Sequence, residues 1–398
     1  MHIDAINSLL SSGAPIGRRN VFTYFCNKKR MRTKHISLFL FIILFSLTGC
    51  MDKYQRIAHK GKAKNVILLI GDGMGLAQAS TAFYFQDEIP SFVRFQHIGL
   101  HQNEPTDAKI TDSAAGATAF SIGKKSYNSA IGIDEDSVAY PTILELTANA
   151  NWSTGVIATS SITHATPASF YAHVVSRHLH EAIAEELVEA PVHFFAGGGL
   201  EYFADRKDGK NLLPLLEDKG FIMDTTALNP KDKLSIDKKY GYLLAADGMP
   251  KMQEGRGDFL PQATQMAIDH LSQDKDGFFL MVEGSQIDWG GHANDSDYVI
   301  EETKDFDKAI KVALDFAEKD GNTLVIVTAD HETGGLSLSA TEIRKQRDYK
   351  HIKPTFSTGG HSASLIPVYA YGPGAANFQG IYPNNDIFKK MLQAIRMQ

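Results

Sequence analysis

Short, uninterrupted apolar runs recur along the chain at 66–70, 156–158, 192–196, 278–282, 324–327 and 366–371. A strand with one face in water alternates apolar and polar residues, whereas a strand covered on both faces reads as a continuous apolar run. Between these runs, 141–150, 180–190, 261–271, 298–318 and 386–395 show helical spacing with polar exteriors. Strand and helix in alternation predict an α/β fold, a three-layer sandwich around a central, largely parallel sheet. The more polar stretch 201–256, with Pro214, Pro230, Pro250 and many lysines, reads as a surface excursion from one domain. No internal repeat or low-complexity tract breaks this pattern.

The first fifty residues do not share it. Met31-Arg32-Thr33-Lys34-His35 supplies a basic start, and 36–47 is a nearly all-apolar run. That run is shorter than the roughly 20 residues a membrane-spanning helix needs. It has the grammar of a signal peptide, with a buried core helix as the alternative. It ends in Leu47-Thr48-Gly49-Cys50, which resembles a bacterial lipobox and implies cleavage before Cys50, lipidation of its thiol and export to the cell envelope or periplasm. Residues 1–30 precede Met31, a second candidate start, so 1–50 is set apart as a leader and 51–398 as the folded domain.

Removing the leader changes two things. The two cysteines, Cys26 and Cys50, both go with it, so no disulfide framework supports the domain. The remainder holds 33 basic against 45 acidic residues, about −12. Lysines scattered over 207–251 make no basic stripe, which argues against a nucleic-acid-binding face. An anionic substrate would then need bound cations to create a local positive field.

The unusual polar residues fall at the carboxyl ends of the expected strands, the edge where ligands bind in open α/β sheets. Asp72 lies in Gly71-Asp72-Gly73-Met74-Gly75, Glu283 follows 278–282, and Asp330-His331 follow 324–327. Asp288-Trp289-Gly290-Gly291-His292 places a carboxylate and an imidazole four apart, and Gly359-Gly360-His361 adds another imidazole. Each motif alone has an ordinary alternative, such as a tight turn, a capping Asp or an exposed His. Together they offer oxygen and nitrogen donors enough for two open, catalytic zinc sites. Ser113, in Thr111-Asp112-Ser113-Ala114-Ala115-Gly116, opens a small-residue helix whose N-terminus would face a phosphate, or it is simply an N-cap. Thr163-His164-Ala165-Thr166-Pro167 could begin a helix, with Arg177 about three turns further on and suited to gripping phosphate.

In this order the motifs Gly71-Asp72-Gly73-Met74-Gly75, Asp112-Ser113-Ala114-Ala115-Gly116-Ala117-Thr118-Ala119, Thr163-His164-Ala165-Thr166-Pro167-Ala168, Val282-Glu283-Gly284 with Ile287-Asp288, and Thr328-Ala329-Asp330-His331-Glu332-Thr333-Gly334-Gly335 resemble the alkaline phosphatase family. The resemblance spans 65–374. It implies an alkaline phosphatase-like fold that hydrolyses small phosphomonoesters through a phosphoserine intermediate, with two zinc ions and one magnesium, as a homodimer. Residue by residue it implies Asp288, His292 and His361 at one zinc, and Asp72, Asp330 and His331 at the second. Asp72, Thr166 and Glu283 would hold magnesium, Ser113 would be the nucleophile and Arg177 the phosphate clamp.

Two positions depart from the best-known bacterial pattern. His164 stands where that enzyme has an Asp near magnesium, and Trp289 where it has a Lys near phosphate. Imidazole at the third site favours zinc over magnesium, and loss of the lysine removes one positive charge from the pocket. The rival readings are a phosphodiesterase or sulfatase with the same two-metal core, a phosphate-isomerising mutase, and a lipoprotein that binds phosphate without turnover. The Thr166–Glu283 pair with Arg177 favours the monoesterase.

Overall fold

The computed structural model describes residues 61–229, 233–343 and 346–397. The expected leader and Cys50 lie outside the described residues. In chain order the strands are β1 (Asn65–Gly71), β2 (His97–Gln102), β3 (Ser153–Ser161), β4 (Phe194–Gly198), β5 (Phe221–Asp224), β6 (Lys239–Leu243), β7 (Phe278–Gly284), β8 (Thr323–Thr328), β9 (Glu332–Thr333), β10 (Ser337–Ile343), β11 (Gln346–Thr355), β12 (His361–Ser362), β13 (Ile366–Tyr371) and β14 (Gly380–Pro383). Ten of them form one sheet in the order β14-β2-β13-β8-β1-β7-β3-β4-β6-β5. Only β13 runs against its neighbours in that sheet, pairing antiparallel with both β8 and β2. The expected α/β sandwich with a largely parallel sheet is the observed architecture.

β1 shows why its run is continuous. Val66, Leu68 and Ile70 pack into one core with Phe120, Ile143, Leu187 and Ile387. Ile67 and Leu69 pack into the other with Ala79, Ala263, Phe306 and Ile310. Successive side chains point to opposite faces, so covering both faces with helices demands an apolar residue at every position. One layer holds the Ser113–Ile122, Ile143–Asn149, His180–Glu189 and Asp386–Ile395 helices, and the other holds Leu76–Phe85, Phe259–Leu271 and Ser296–Asp320. The last of these starts on the Asp295 side chain, which accepts from the backbone N–H groups of Asp297 and Tyr298, and stops at Gly321 in the left-handed conformation.

The stretch 201–256 is not the surface excursion expected of it. It contributes β5 and β6, which extend the sheet beyond β4, and it buries Phe203, Leu216, Phe221, Tyr240 and Leu243. Both strands are short, and Gly241 interrupts β6, so neither carries the long apolar run that marks a central strand. β2 likewise carries no continuous apolar run, because Gly99 and His101 interrupt it.

The central four strands position the chemistry. β8, β1, β7 and β3 lie side by side and parallel, with Ile70 opposite both Glu283 and Thr328. Their carboxyl ends therefore open at one edge, which carries Asp72, Glu283 and the Asp330-His331 pair.

Far from that edge, His270 is fully buried between Phe194 and Tyr240 with no hydrogen-bond partner for either ring nitrogen. Burial, aided by His193, lowers its pKa to about 4. An unfolded histidine titrates near 6.5, so between those values the unfolded chain binds the extra proton and stability falls as pH falls. We expect His270→Phe to lose less stability than the unsubstituted protein between pH 7 and pH 5, measured by urea unfolding. An equal loss in both proteins contradicts this account.

Candidate functional site

Asp72 leaves the end of β1 into a turn made by Gly73, whose φ of 73° lies in the left-handed region. A Cβ on Gly73 would stand 2.7 Å from the Asp288 backbone. Glycine therefore serves both the turn and the close approach of two carboxylate-bearing segments. After β8 the chain bends at Asp330, which turns adjacent side chains toward one point. Nε2 of His331 lies 3.2 Å from Asp330 and 3.4 Å from Asp72. β9 follows at once and pairs with β12, placing His361 opposite Thr333. A two-residue ladder thus carries His361 back across 27 residues of intervening chain to the site.

Three donor groups result. Asp288, His292 and His361 form one, Asp72, Asp330 and His331 a second, and Asp72, His164 and Glu283 a third, with the donor atoms of each group within 4.8 Å of one another. Asp72 belongs to two of them. The first group lies on the open side, where the His292 side chain is 43% exposed. The other two are deep, with Asp72, Glu283, Asp330 and His331 fully buried.

The imidazoles are oriented from behind. His292 Nδ1 donates to the Gly359 carbonyl and His361 Nδ1 to the Thr111 carbonyl, each at 2.8 Å. A carbonyl only accepts, so both Nε2 atoms are left with lone pairs, and these face each other at 3.1 Å. His331 Nδ1 donates to the Thr333 hydroxyl at 3.1 Å, and that hydroxyl donates to Asp288. Orientation of a ligating ring through its second nitrogen is the usual arrangement around metals.

The donor set fits cations. Both Asp72 oxygens, Asp330 Oδ2, Glu283 Oε1, Thr166 Oγ1 and His164 Nδ1 are buried without a hydrogen-bond partner. Leaving such atoms unpaired costs about 1–3 kcal/mol each, more for charged groups. Burial, reinforced by Asp330, Asp288 and Glu283, holds the Asp72 carboxyl well above the usual range. Burial also pushes Glu283 up to about 7, despite the Ser285 hydroxyl that bonds it at 2.6 Å. Burial opposes a proton on His331, yet neighbouring Asp330 outweighs it and raises its pKa. Protons gather where cations would relieve the same crowding. The first two groups suit zinc, while in the third the Asp72, Glu283 and Thr166 oxygens suit magnesium and the His164 imidazole suits zinc.

Ser113 is not the cap of its helix. Asp112 is, accepting from the Ala115 N–H at 3.0 Å. Ser113 is the first helical residue, and its Oγ lies 3.2 Å from His331 Nε2. A Cβ on Gly116 would stand 2.9 Å from Asp330 Cβ, so this helix lies flush against the second donor group. Arg177 is not carried on a helix, because the one begun at Ala165 ends at Ala168. A loop presents it instead, with its backbone N–H on the Ser129 carbonyl and its guanidinium donating to Asp112 at 3.1 Å and to His164 Nε2 at 3.3 Å. Trp289 is half-buried beside this cluster, with its ring edge-on to His164 at 6.2 Å.

All twelve residues singled out in the sequence lie around this one sheet edge. His164 stands closer to the chemistry than its expected supporting place, since it shares a donor group with Asp72 and Glu283. Sequence reasoning missed the supports. Asp112 caps the Ser113 helix and pairs with Arg177, and Thr333 bridges His331 to Asp288. Glu332 accepts from Gln78, Ser362 and the Gly335 and Leu336 N–H groups. Their only signal was adjacency to stronger candidates.

The family model for alkaline phosphatase matches residues 63–355. Alkaline phosphatase 3 of Bacillus subtilis (strain 168) is 35% identical, in a match that covers 86% of this chain and 91% of the relative. The solved alkaline phosphatase of the Antarctic bacterium TAB5 is 53% identical with a TM-score of 0.82, covering 85% of this chain and 99% of that one. A mutant of the TAB5 enzyme with a histidine replaced by aspartate, solved with magnesium in its M3 site, is 54% identical with the same TM-score and coverage. The chain belongs to the alkaline phosphatase family.

Proposed function

We propose that this phosphatase hydrolyses phosphate monoesters through a phosphoserine on Ser113, with zinc at the Asp288–His292–His361 and Asp72–Asp330–His331 groups and magnesium or zinc at Asp72, Glu283 and Thr166 beside His164. When bound, the cations supply Lewis-acid charge that acidifies the serine hydroxyl and neutralises the phosphoryl and leaving oxygens. The observation that carries the reading is the position of Ser113 Oγ, 3.2 Å from His331 Nε2 and at the start of a helix that faces the donor groups.

The chain's own residues divide the work. Ser113 attacks phosphorus, the ester oxygen departs with the alcohol, and water then releases phosphate and regenerates the hydroxyl. Asp112 holds the helix so that Ser113 points inward. Arg177 uses two N–H groups on Asp112 and His164 and keeps others for the non-bridging oxygens of phosphate, a charge-assisted grip on a dianion. The exposed side of the first donor group lets the alcohol leave and water enter. Trp289 walls the pocket without adding charge. For the whole protein, the leader supports export and attachment through a lipidated Cys50, and the homodimer rests on the family resemblance.

Ser113→Ala is expected to abolish acid-stable labelling from a phosphate-labelled substrate and to lower turnover by on the order of a thousandfold or more, with metal content unchanged. Undiminished turnover by the pure variant would sink the covalent route. Removing metals with a chelator should abolish hydrolysis of p-nitrophenyl phosphate, and zinc with magnesium should restore it. Full activity in metal-free protein rules the reading out. Trp289→Lys should bind inorganic phosphate more tightly and release it more slowly, seen as a lower inhibition constant. Equal inhibition of variant and unsubstituted enzyme contradicts the role given to the indole.

A further inference from the structure

The indole of Trp289 is set from outside the donor groups. It stands edge-on to His164, whose Nε2 accepts from Arg177. Its rim also meets the chain that follows β6, where a Cβ built on Gly248 would lie 2.5 Å from Cη2 of the ring. A side chain there would require the ring or the segment to shift, and the neighbour is a rigid, half-buried ring.

That segment cannot retreat. Behind it, a Cβ on Gly198 would stand 1.8 Å from the Asp247 carbonyl oxygen, so the segment is already pressed against β4. Met249 is tied on both sides of its α-carbon, its N–H donating to the Thr159 carbonyl at 3.1 Å and its carbonyl accepting from Gln286 at 2.7 Å. Further along, Arg256 is buried against Glu302 and Asp305 of the Ser296–Asp320 helix. That paired charge anchors the far end of the segment in the core. Gly248 has no left-handed φ, so its backbone does not demand glycine. Only the space does.

We propose that Gly248 is a specificity-determining residue of the phosphate pocket. Its bare α-carbon lets the segment lie close against the rim of Trp289 and so sets how far the indole stands from His164 and Arg177. A methyl group there drives the ring toward those two residues and crowds the bound phosphate. The inference rests on the reading of Trp289 as a wall of the phosphate pocket, and it adds a contact outside the metal-ligating and nucleophilic set that tunes product affinity.

The test is a double-mutant cycle on metal-replete enzyme, with inhibition by inorganic phosphate, KM, kcat and metal content measured for each protein. Gly248→Ala should raise the phosphate inhibition constant about tenfold at unchanged metal content. In a Trp289→Leu background the same change should alter it by less than about twofold. The chain has two tryptophans, so in a Trp152→Phe background the emission reports Trp289 alone, and Gly248→Ala should shift it before phosphate is added. An unshifted emission and inhibition constant, or an equal change in both backgrounds, overturns the proposal. Should Gly248→Ala fail to fold, recovery in the Gly248→Ala/Trp289→Leu protein supports the contact, and failure there too overturns it. If Trp289→Leu alone leaves phosphate inhibition untouched, the pocket-wall reading fails, whatever Gly248 does.

Discussion

Four carboxylates converge at one sheet edge with almost no exposed surface of their own. Asp72, Glu283 and Asp330 are fully buried and Asp288 is 5% exposed. Anions so placed repel one another in a medium that screens poorly, and taking them out of water already costs several kcal/mol each. Burial first, and then the neighbouring carboxylates, raises the pKa values of Asp72 and Glu283. Arg177 and the imidazoles offset it in part, and the residual demand for positive charge is what suits the site to cations and, through them, to a phosphate dianion. A protein of formal net charge −6 can thereby act on an anionic substrate.

The rest of the site keeps those charges in register. Parallel strands bring Asp72, Glu283 and Asp330 to one edge. Backbone carbonyls of Gly359 and Thr111 fix the tautomers of His292 and His361, and Thr333 links His331 to Asp288. Close approaches at Gly73 and Gly116 let carboxylate-bearing segments and the serine-bearing helix meet with almost no intervening side chain. The donor groups also form a gradient of depth. The first is the more exposed, with the His292 side chain 43% exposed, while the carboxylates of the other two are fully buried. Gly248 extends the same packing logic outward to Trp289.

Much of this was legible in the chain itself. Continuous apolar runs located β1, β7, β8 and β13 because burial on both faces leaves no freedom for polar residues. The donors at their ends stood out because Asp, Glu and His directly after such runs have no packing reason to be there. The apolar pattern does not show β6 or the edge strand β5, so 201–256 reads as an excursion although it extends the sheet. Strands of four and five residues, covered largely by their neighbours, need no extended apolar pattern.

By itself, then, the sequence determined the fold class and the inventory of donors, since both follow from local alternation of burial and from residue chemistry. It could not decide which donors meet. That Asp112 rather than Ser113 caps the helix, that Arg177 comes from a loop, that a two-residue ladder returns His361 to Thr333, and that His164 joins Asp72 and Glu283 are all settled by contacts between residues distant in the chain. Such contacts depend on strand order, crossover paths and the space each side chain leaves its neighbours, quantities that no local pattern encodes and that exist only once the sheet has closed around them.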